Sequence, residues 1–232
     1  MKLTILGNNG PFPSVNGATS GYLLEVKNKQ FVMDFGSGVL SNLQKNISVK
    51  DVSAIIISHL HFDHISDLGV LAYYLQVNKL GKLPLYVPEA NDYINMILKT
   101  GCFTCHFYSE GELDVSGVKF SVVKMKHPVE SFSFSVEEEG KVFSYTGDTN
   151  YCPQVEELFK KSNFVLCDTA FLKESWNENL PHMNIFNACE LAKKFECKVV
   201  LTHLNPNLTE DEILNEAFGN FEIAKINKSI II

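Results

Sequence analysis

Residues 58–64 read Ser58-His59-Leu60-His61-Phe62-Asp63-His64, three imidazoles and a carboxylate within seven positions. Imidazole and carboxylate together suit zinc and other first-row divalent cations. In an extended chain, residues two apart point to the same side, so His59 and His61 can reach one cation. If the chain then turns into a helix, Asp63 and His64 can face a second cation nearby. A chance His-x-His-x-Asp-His is on the order of 10⁻³ or rarer in a chain of this composition. The bland alternative is four polar residues in an exposed turn. Three further candidates stand just beyond apolar runs: His127, Asp148 in Tyr145-Thr146-Gly147-Asp148-Thr149, and His203 after Val199-Val200-Leu201-Thr202. Loops at strand ends on a rigid sheet are the usual address for chemistry. Each would more often be structural if it stood alone. Together they bring five of the seven histidines to one plausible site.

The elements that must position these residues are short apolar runs alternating with helical patterns. Residues 1–6, 21–26 and 30–34 read as strands, the last running into the turn Asp34-Phe35-Gly36-Ser37-Gly38. Residues 54–57 form a continuous apolar run dominated by isoleucine, as expected of a strand buried on both faces. Residues 65–77 carry apolar side chains at helical period. Strands follow at 118–125, 131–137 and 141–145, the last two joined by the tight turn Glu138-Glu139-Gly140. Helices are expected at 91–98, 153–160 and 184–195, with strands at 164–167 and 198–202 among them. Pro153 suits a first helical position. Thr209-Glu210-Asp211-Glu212 is a capping box opening a last helix to about residue 218. The pattern predicts two packed sheets with helices outside. Residues 31–38 and 142–149, each an apolar strand ending in an Asp/Gly turn, hint faintly at internal duplication.

Composition sets outer bounds. A chain of 232 residues, 45% hydrophobic and 11% aromatic, is expected to fold as one domain over residues 1–232 rather than remain disordered. No apolar run approaches the roughly 20 residues of a membrane helix, and the Met1-Lys2-Leu3 start lacks a signal-peptide layout, so a cytoplasmic location without membrane contact is expected. Net charge is −7, and all 20 basic residues are lysine. That balance disfavours a large nucleic-acid footprint, which needs clustered basic residues, and leaves no guanidinium fork for phosphate. The six cysteines are expected to be reduced thiols. Cys102-Phe103-Thr104-Cys105-His106 matches the bare haem-attachment pattern, but that attachment belongs outside the cytoplasm. A metal-binding or redox pair there ranks below ordinary loop or core residues.

Across nearly its whole length the sequence resembles the metallo-β-lactamase-fold hydrolases. The order His-x-His-x-Asp-His, a later His, then Gly-Asp, then a C-terminal Thr-His carries the likeness. The resemblance implies an αββα sandwich of two mixed β-sheets flanked by helices. It also implies two divalent ions, zinc first, with manganese or ferrous iron possible alternatives. By this resemblance His59, His61 and His127 would hold one ion and Asp63, His64 and His203 the other, with Asp148 bridging. Asp34 matches a supporting aspartate, which could fix the tautomer of a ligand histidine. Within the superfamily the likeness is to ribonuclease Z and its small relatives. Pro181-His182-Met183-Asn184 resembles the motif whose histidine assists leaving-group departure, and Asp168 takes the place of the supporting glutamate, one methylene shorter. A simpler role for His182 is to open the following helix. The long tRNA-gripping arm has no room here, because only residues 128–147 separate His127 from Asp148 and strands consume them. tRNA processing is therefore disfavoured, and a smaller substrate, at most a short oligonucleotide, is expected.

The chemistry so implied is hydrolysis of a small phosphodiester by a metal-bound hydroxide, two cations acidifying the water and neutralising developing charge. Asp63 would orient the nucleophile, and His182, supported by Asp168, would protonate the leaving oxygen. Lactone or thioester hydrolysis on the same metals is the rival enzyme reading, and a metal-binding sensor without turnover the non-enzyme one. Iron in the same ligands for redox chemistry would call for a flavin partner domain, which these residues do not contain. Residues 81–117, with Tyr86, Tyr93, Phe103, Phe107 and Tyr108, are expected to cover or border the pocket, although filling a core is the commoner use of such aromatics. A homodimer is implied by the resemblance alone.

Overall fold

The computed structural model describes residues 1–232. Six strands come first: β1 (Lys2–Gly7), β2 (Gly21–Val26), β3 (Lys29–Met33), β4 (Ala54–Ile56), β5 (Leu83–Val87) and β6 (Phe103–Phe107). Seven more follow: β7 (Gly111–Val115), β8 (Val118–Lys124), β9 (Phe132–Glu138), β10 (Lys141–Tyr145), β11 (Phe164–Asp168), β12 (Lys198–Thr202) and β13 (Phe221–Ile223). The last strand, β14 (Ser229–Ile231), returns to β1. They form two seven-stranded sheets, in the orders β14-β1-β2-β3-β4-β5-β6 and β13-β12-β11-β10-β9-β8-β7. Helices α1 (Val39–Asn46), α2 (Phe62–Ile65), α3 (Leu68–Val77) and α4 (Asp92–Leu98) accompany the first sheet; α5 (Pro153–Lys161), α6 (Ile185–Lys194) and α7 (Glu210–Glu216) accompany the second. No helix is long and apolar enough to cross a membrane.

Strand alternation builds three apolar layers from one chain. Phe31 and Met33 of β3 point between the sheets and meet Phe120, Phe134 and Phe143 of the opposite sheet, while Val32 points outward beneath α1 and α3. The third layer packs Val165, Cys167, Val199 and Leu201 under α5 and α6. Each fully buried large apolar side chain contributes about 1.5–3 kcal/mol. Strands covered on both faces therefore read as unbroken apolar runs, as in Ala54-Ile55-Ile56-Ile57, all fully buried.

The hint of duplication is borne out at the level of topology. Both sheets show three antiparallel pairings followed by three parallel ones, and β3 and β10 are their central strands. Each central strand runs toward a buried aspartate, Asp34 or Asp148.

Most expected elements are present within a residue or two. The helix expected over 65–77 is instead two, α2 and α3, because the backbone of Phe35 is inserted between them. Its N–H donates to the His64 carbonyl at 2.7 Å, and its carbonyl accepts from Asp67 N–H at 3.1 Å. Gly36 makes the close approach possible, since a Cβ there would stand 1.9 Å from the Asp63 carbonyl oxygen. The segment 81–117 also departs from expectation. It adds β5 and β6 to one sheet and β7 to the other, so Tyr86, Phe103 and Tyr108 are buried in the apolar layers, and Phe107 is left exposed. Cys102 is buried beside α3, Cys105 lies on β6, and all six thiols are free.

Candidate metal centre

Every candidate ligand lies at one end of the sandwich, on a segment that follows a strand. His59 and His61 follow β4, and His61 is the extended residue from which α2 starts, so Asp63 and His64 come round on its first turn. His127 follows β8, Asp148 follows β10 and His203 follows β12. Asp168 is the last residue of β11, and His182 precedes α6. Asp34 and His203 hold φ of 58° and 52°. Left-handed backbone at non-glycine residues is costly and clusters at functional sites.

These side chains form three groups that share Asp148, the third being Asp148, Asp168, His182 and His203. In the first are His59, His61, His127 and Asp148; in the second, Asp63, His64, His203 and Asp148, with the ligand atoms of each group within 4.8 Å of one another. His61 Nδ1 lies 3.1 Å from His59 Nε2 and 3.1 Å from His127 Nε2. His203 Nε2 lies 3.1 Å from Asp63 Oδ2 and 3.2 Å from Asp148 Oδ2, and His64 Nε2 is also 3.2 Å from Asp148 Oδ2. Zinc bonds of about 2.0–2.1 Å put tetrahedral ligand atoms roughly 3.3–3.4 Å apart. The spacings fit. Buried His64 Nε2 and Asp148 Oδ1 have no hydrogen-bond partner, which also fits groups shaped to face a cation.

In His64, His59 and His127 the ring nitrogen turned away from the groups is held by the protein. His64 Nδ1–H donates to Asp34 Oδ2 at 2.7 Å. Ser58 Oγ donates to the same oxygen at 2.8 Å and accepts His59 Nδ1–H at 3.0 Å. Ser58 N–H and the Tyr145 hydroxyl complete the aspartate's set, at 2.6 and 2.7 Å. His127 Nδ1–H donates to the Pro181 carbonyl at 3.1 Å. Such outer contacts fix which ring nitrogen presents a lone pair. One carboxylate thereby sets tautomers in the first two groups.

The electrostatics of the metal-free protein suit ligation in the first group. In the second, burial is outweighed by Asp148, Asp34 and Asp63, which hold His64 well above the usual imidazole range, so a cation there must displace its proton. Burial, with the neighbouring His64, pushes His59 well below the usual imidazole range, and burial lowers His61 and His127 too. All three are therefore neutral, as ligation requires. Burial works against ionisation of Asp148, but His203, His64 and His59 hold it well below the usual carboxylate range. Burial likewise opposes the charge on Asp63, and His64 and His203 outweigh it.

Beside the first two groups sits His182, its Nδ1–H donating to Asp168 Oδ2 at 2.8 Å. Its ring stacks on His203, centroids 4.7 Å apart. The helix-opening duty falls to Asn184, whose side chain accepts from Asn187 N–H. Burial disfavours protonation of His182, yet the Asp168 charge and hydrogen bond, with Asp148, raise it to about 9. Asp168 is itself buried and steadied by Thr149 N–H at 3.0 Å. Sequence reasoning missed Ser58, Tyr145, Asn150 and Trp176. For Ser58, adjacency to His59 was the available signal.

Two mixed sheets flanked by helices, with a His/Asp cluster able to bind metal at one end, define a metal-dependent hydrolase of the metallo-β-lactamase superfamily. Within it, residues 1–229 match the family described as anti-Pycsar protein Apyc1, and the chain belongs to that family. The probable metallo-hydrolase YhfI of Bacillus subtilis is 30% identical over 97% of each chain. The crystal structure of that metallo-β-lactamase-fold protein superposes with a TM-score of 0.87 at 27% identity, covering 99% of both. The short form of human tRNase Z shares the fold at a TM-score of 0.77 and 20% identity, covering 100% of this chain and 99% of that one. A diphosphatase from the PhnP family does so at 0.74 and 18%, covering 100% and 97%.

Proposed function

We propose that this protein hydrolyses a small phosphodiester, with two divalent cations, zinc by preference, in the two ligand groups. His59, His61 and His127 would hold one, Asp63, His64 and His203 the other, and Asp148 would be shared. Bound there, the cations would acidify a water and neutralise charge developing at phosphorus. The observation that carries the reading is the His182–Asp168 pair, 2.8 Å apart and beside both groups.

An alkoxide is a poor leaving group and needs a proton, whereas an activated phenolate or a thiolate scarcely does. Asp168 occupies His182 Nδ1, so Nε2–H is the donor left for substrate. As the water oxygen bonds to phosphorus, the ester P–O bond breaks and the Nε2 proton passes to the departing oxygen. Asp63, already held below the usual carboxylate range in the metal-free protein, would accept a hydrogen bond from the attacking water and orient it. The chain has no arginine, so besides the cations only lysines can meet phosphate charge. The neighbours named for tRNA and diphosphate chemistry are in keeping with a phosphorus substrate.

The test is turnover of bis(p-nitrophenyl) phosphate by zinc- and manganese-loaded protein, beside His59→Ala. Turnover abolished in the variant supports the reading and directs screening to cyclic nucleotides and short oligonucleotides. No turnover from protein holding two metals, with cleavage of lactones or thioesters instead, overturns it. His182→Ala should lose about 10²–10⁴-fold on diphenyl phosphate and much less on the nitrophenyl ester.

A further inference from the structure

Half of the segment between β11 and α6, residues 172–183, is exposed: Lys173, Glu174, Ser175, Asn177, Glu178 and Asn179 face solvent. Apolar packing holds only its ends, Leu172 and Met183, and not the residues between. Its carbonyls are instead taken one after another by side chains next to the ligand groups. Lys126 Nζ donates to the Glu178 carbonyl at 2.8 Å, and His127 Nδ1–H to that of Pro181 at 3.1 Å. The Asn150 amide donates to the carbonyls of Asn177, at 3.2 Å, and Leu180. Trp176 Nε1–H is shared between the His182 carbonyl and Asn150 Oδ1, each at 3.0 Å.

Asn150 is the hub of this arrangement. It is fully buried two residues beyond Asp148, and its oxygen also accepts Tyr151 N–H. Both amide hydrogens and the oxygen are thus committed. The indole ties residue 176 to residue 182, and Asn150 grips the carbonyls between. The Pro181 carbonyl is left directed at His127, and the His182 ring at Asp168.

We propose that Asn150 and Trp176 are positioning residues: they hold residues 176–182 as a strap that sets, together, the tautomer of His127 and the location of the His182 ring. The second half rests on the reading of His182 as proton donor. A group placed to transfer a proton tolerates little displacement, so its supporting hydrogen bonds are part of its function. Trp176→Phe keeps an aromatic ring but removes the indole N–H with part of the bicycle; Asn150→Ala removes the hub.

Two readouts test this on the zinc-loaded protein. One is the ratio of kcat on diphenyl phosphate to kcat on bis(p-nitrophenyl) phosphate, which reports protonation of the leaving group. The other is zinc affinity in competition with a chromophoric chelator. Trp176→Phe and Asn150→Ala should each lower the ratio at least tenfold, as His182→Ala does, and weaken zinc about tenfold. Wild-type zinc affinity in Trp176→Phe overturns the inference for His127. A ratio lowered by His182→Ala but not by Trp176→Phe overturns it for His182 and leaves the proton-donor reading standing. A ratio unmoved by His182→Ala overturns that reading and the inference with it. Should Asn150→Ala fail to fold, Trp176→Phe decides.

Discussion

His64 Nδ1 and Asp34 Oδ2 meet at 2.7 Å with both side chains fully buried, although 30 residues separate them in sequence. The same carboxylate reaches the other ligand group through Ser58, whose hydroxyl lies between it and His59. Asp34 is therefore a common footing for the two groups, and Tyr145 of the opposite sheet braces it.

Asp34→Ala should strand four buried donors: the amide and hydroxyl of Ser58, the Tyr145 hydroxyl and the His64 ring. Breaking a buried pair in this way costs roughly 3–5 kcal/mol. Urea denaturation of the chelated protein measures it. Asp34→Asn should keep the fold and weaken zinc by about 10–100-fold. Affinity equal to wild type would show that the tautomers are fixed without Asp34.

Gly10 lies against the His203 ring. A Cβ added there would stand 2.0–2.4 Å from three ring atoms. Gly10→Ala should displace the ring, lower bound metal measured by atomic emission, and reduce turnover. Gly81→Ala, where a Cβ meets nothing within 4 Å, is the matched control and should match wild type in metal content.

In metal-free protein His182 is raised to about 9 from an ordinary 6.5. A raised folded value contributes stability fully present below about pH 6.5 and lost as pH climbs through 9. Folding free energies of chelated wild type should therefore exceed those of His182→Asn most below pH 6.5, by roughly 3 kcal/mol. The gap should close by about pH 10. A gap that widens with pH would refute the ion pair with Asp168.

Metal removal should show in the melting temperature. A ligand at about 100 times its Kd adds about 2.7 kcal/mol, some 5–11 °C for a chain of this size. Differential scanning calorimetry with and without chelator reads the difference, and identical melting curves would count against tight loading of the groups.

The ligand cluster was legible because its signal is local. A period of two into a helix turn brings His59, His61, Asp63 and His64 together whatever the rest of the chain does. The central strands were legible for a similar reason, being apolar on both faces. The bracing contacts were not. Tyr145 meets Asp34 from 111 residues away, and His127 is held by a backbone carbonyl, which has no residue identity to read. Strand β5 carries Pro84, which argues against an interior strand, and β13 and β14 span three residues each, too few to show a period. The break between α2 and α3 depends on Phe35 arriving from another loop, so helical periodicity across 65–77 could not disclose it.

The shared Asp148 has a consequence for biogenesis. Neither ligand group is complete within one sheet: the first must wait for His127 and Asp148, the second for His203, which emerges from the ribosome long after His59. A nascent chain short of residue 148 would offer only part of the first group, and one short of residue 203 only part of the second. Cation capture is thus tied to the docking of the two halves, and a loaded centre certifies that both have been synthesised and assembled.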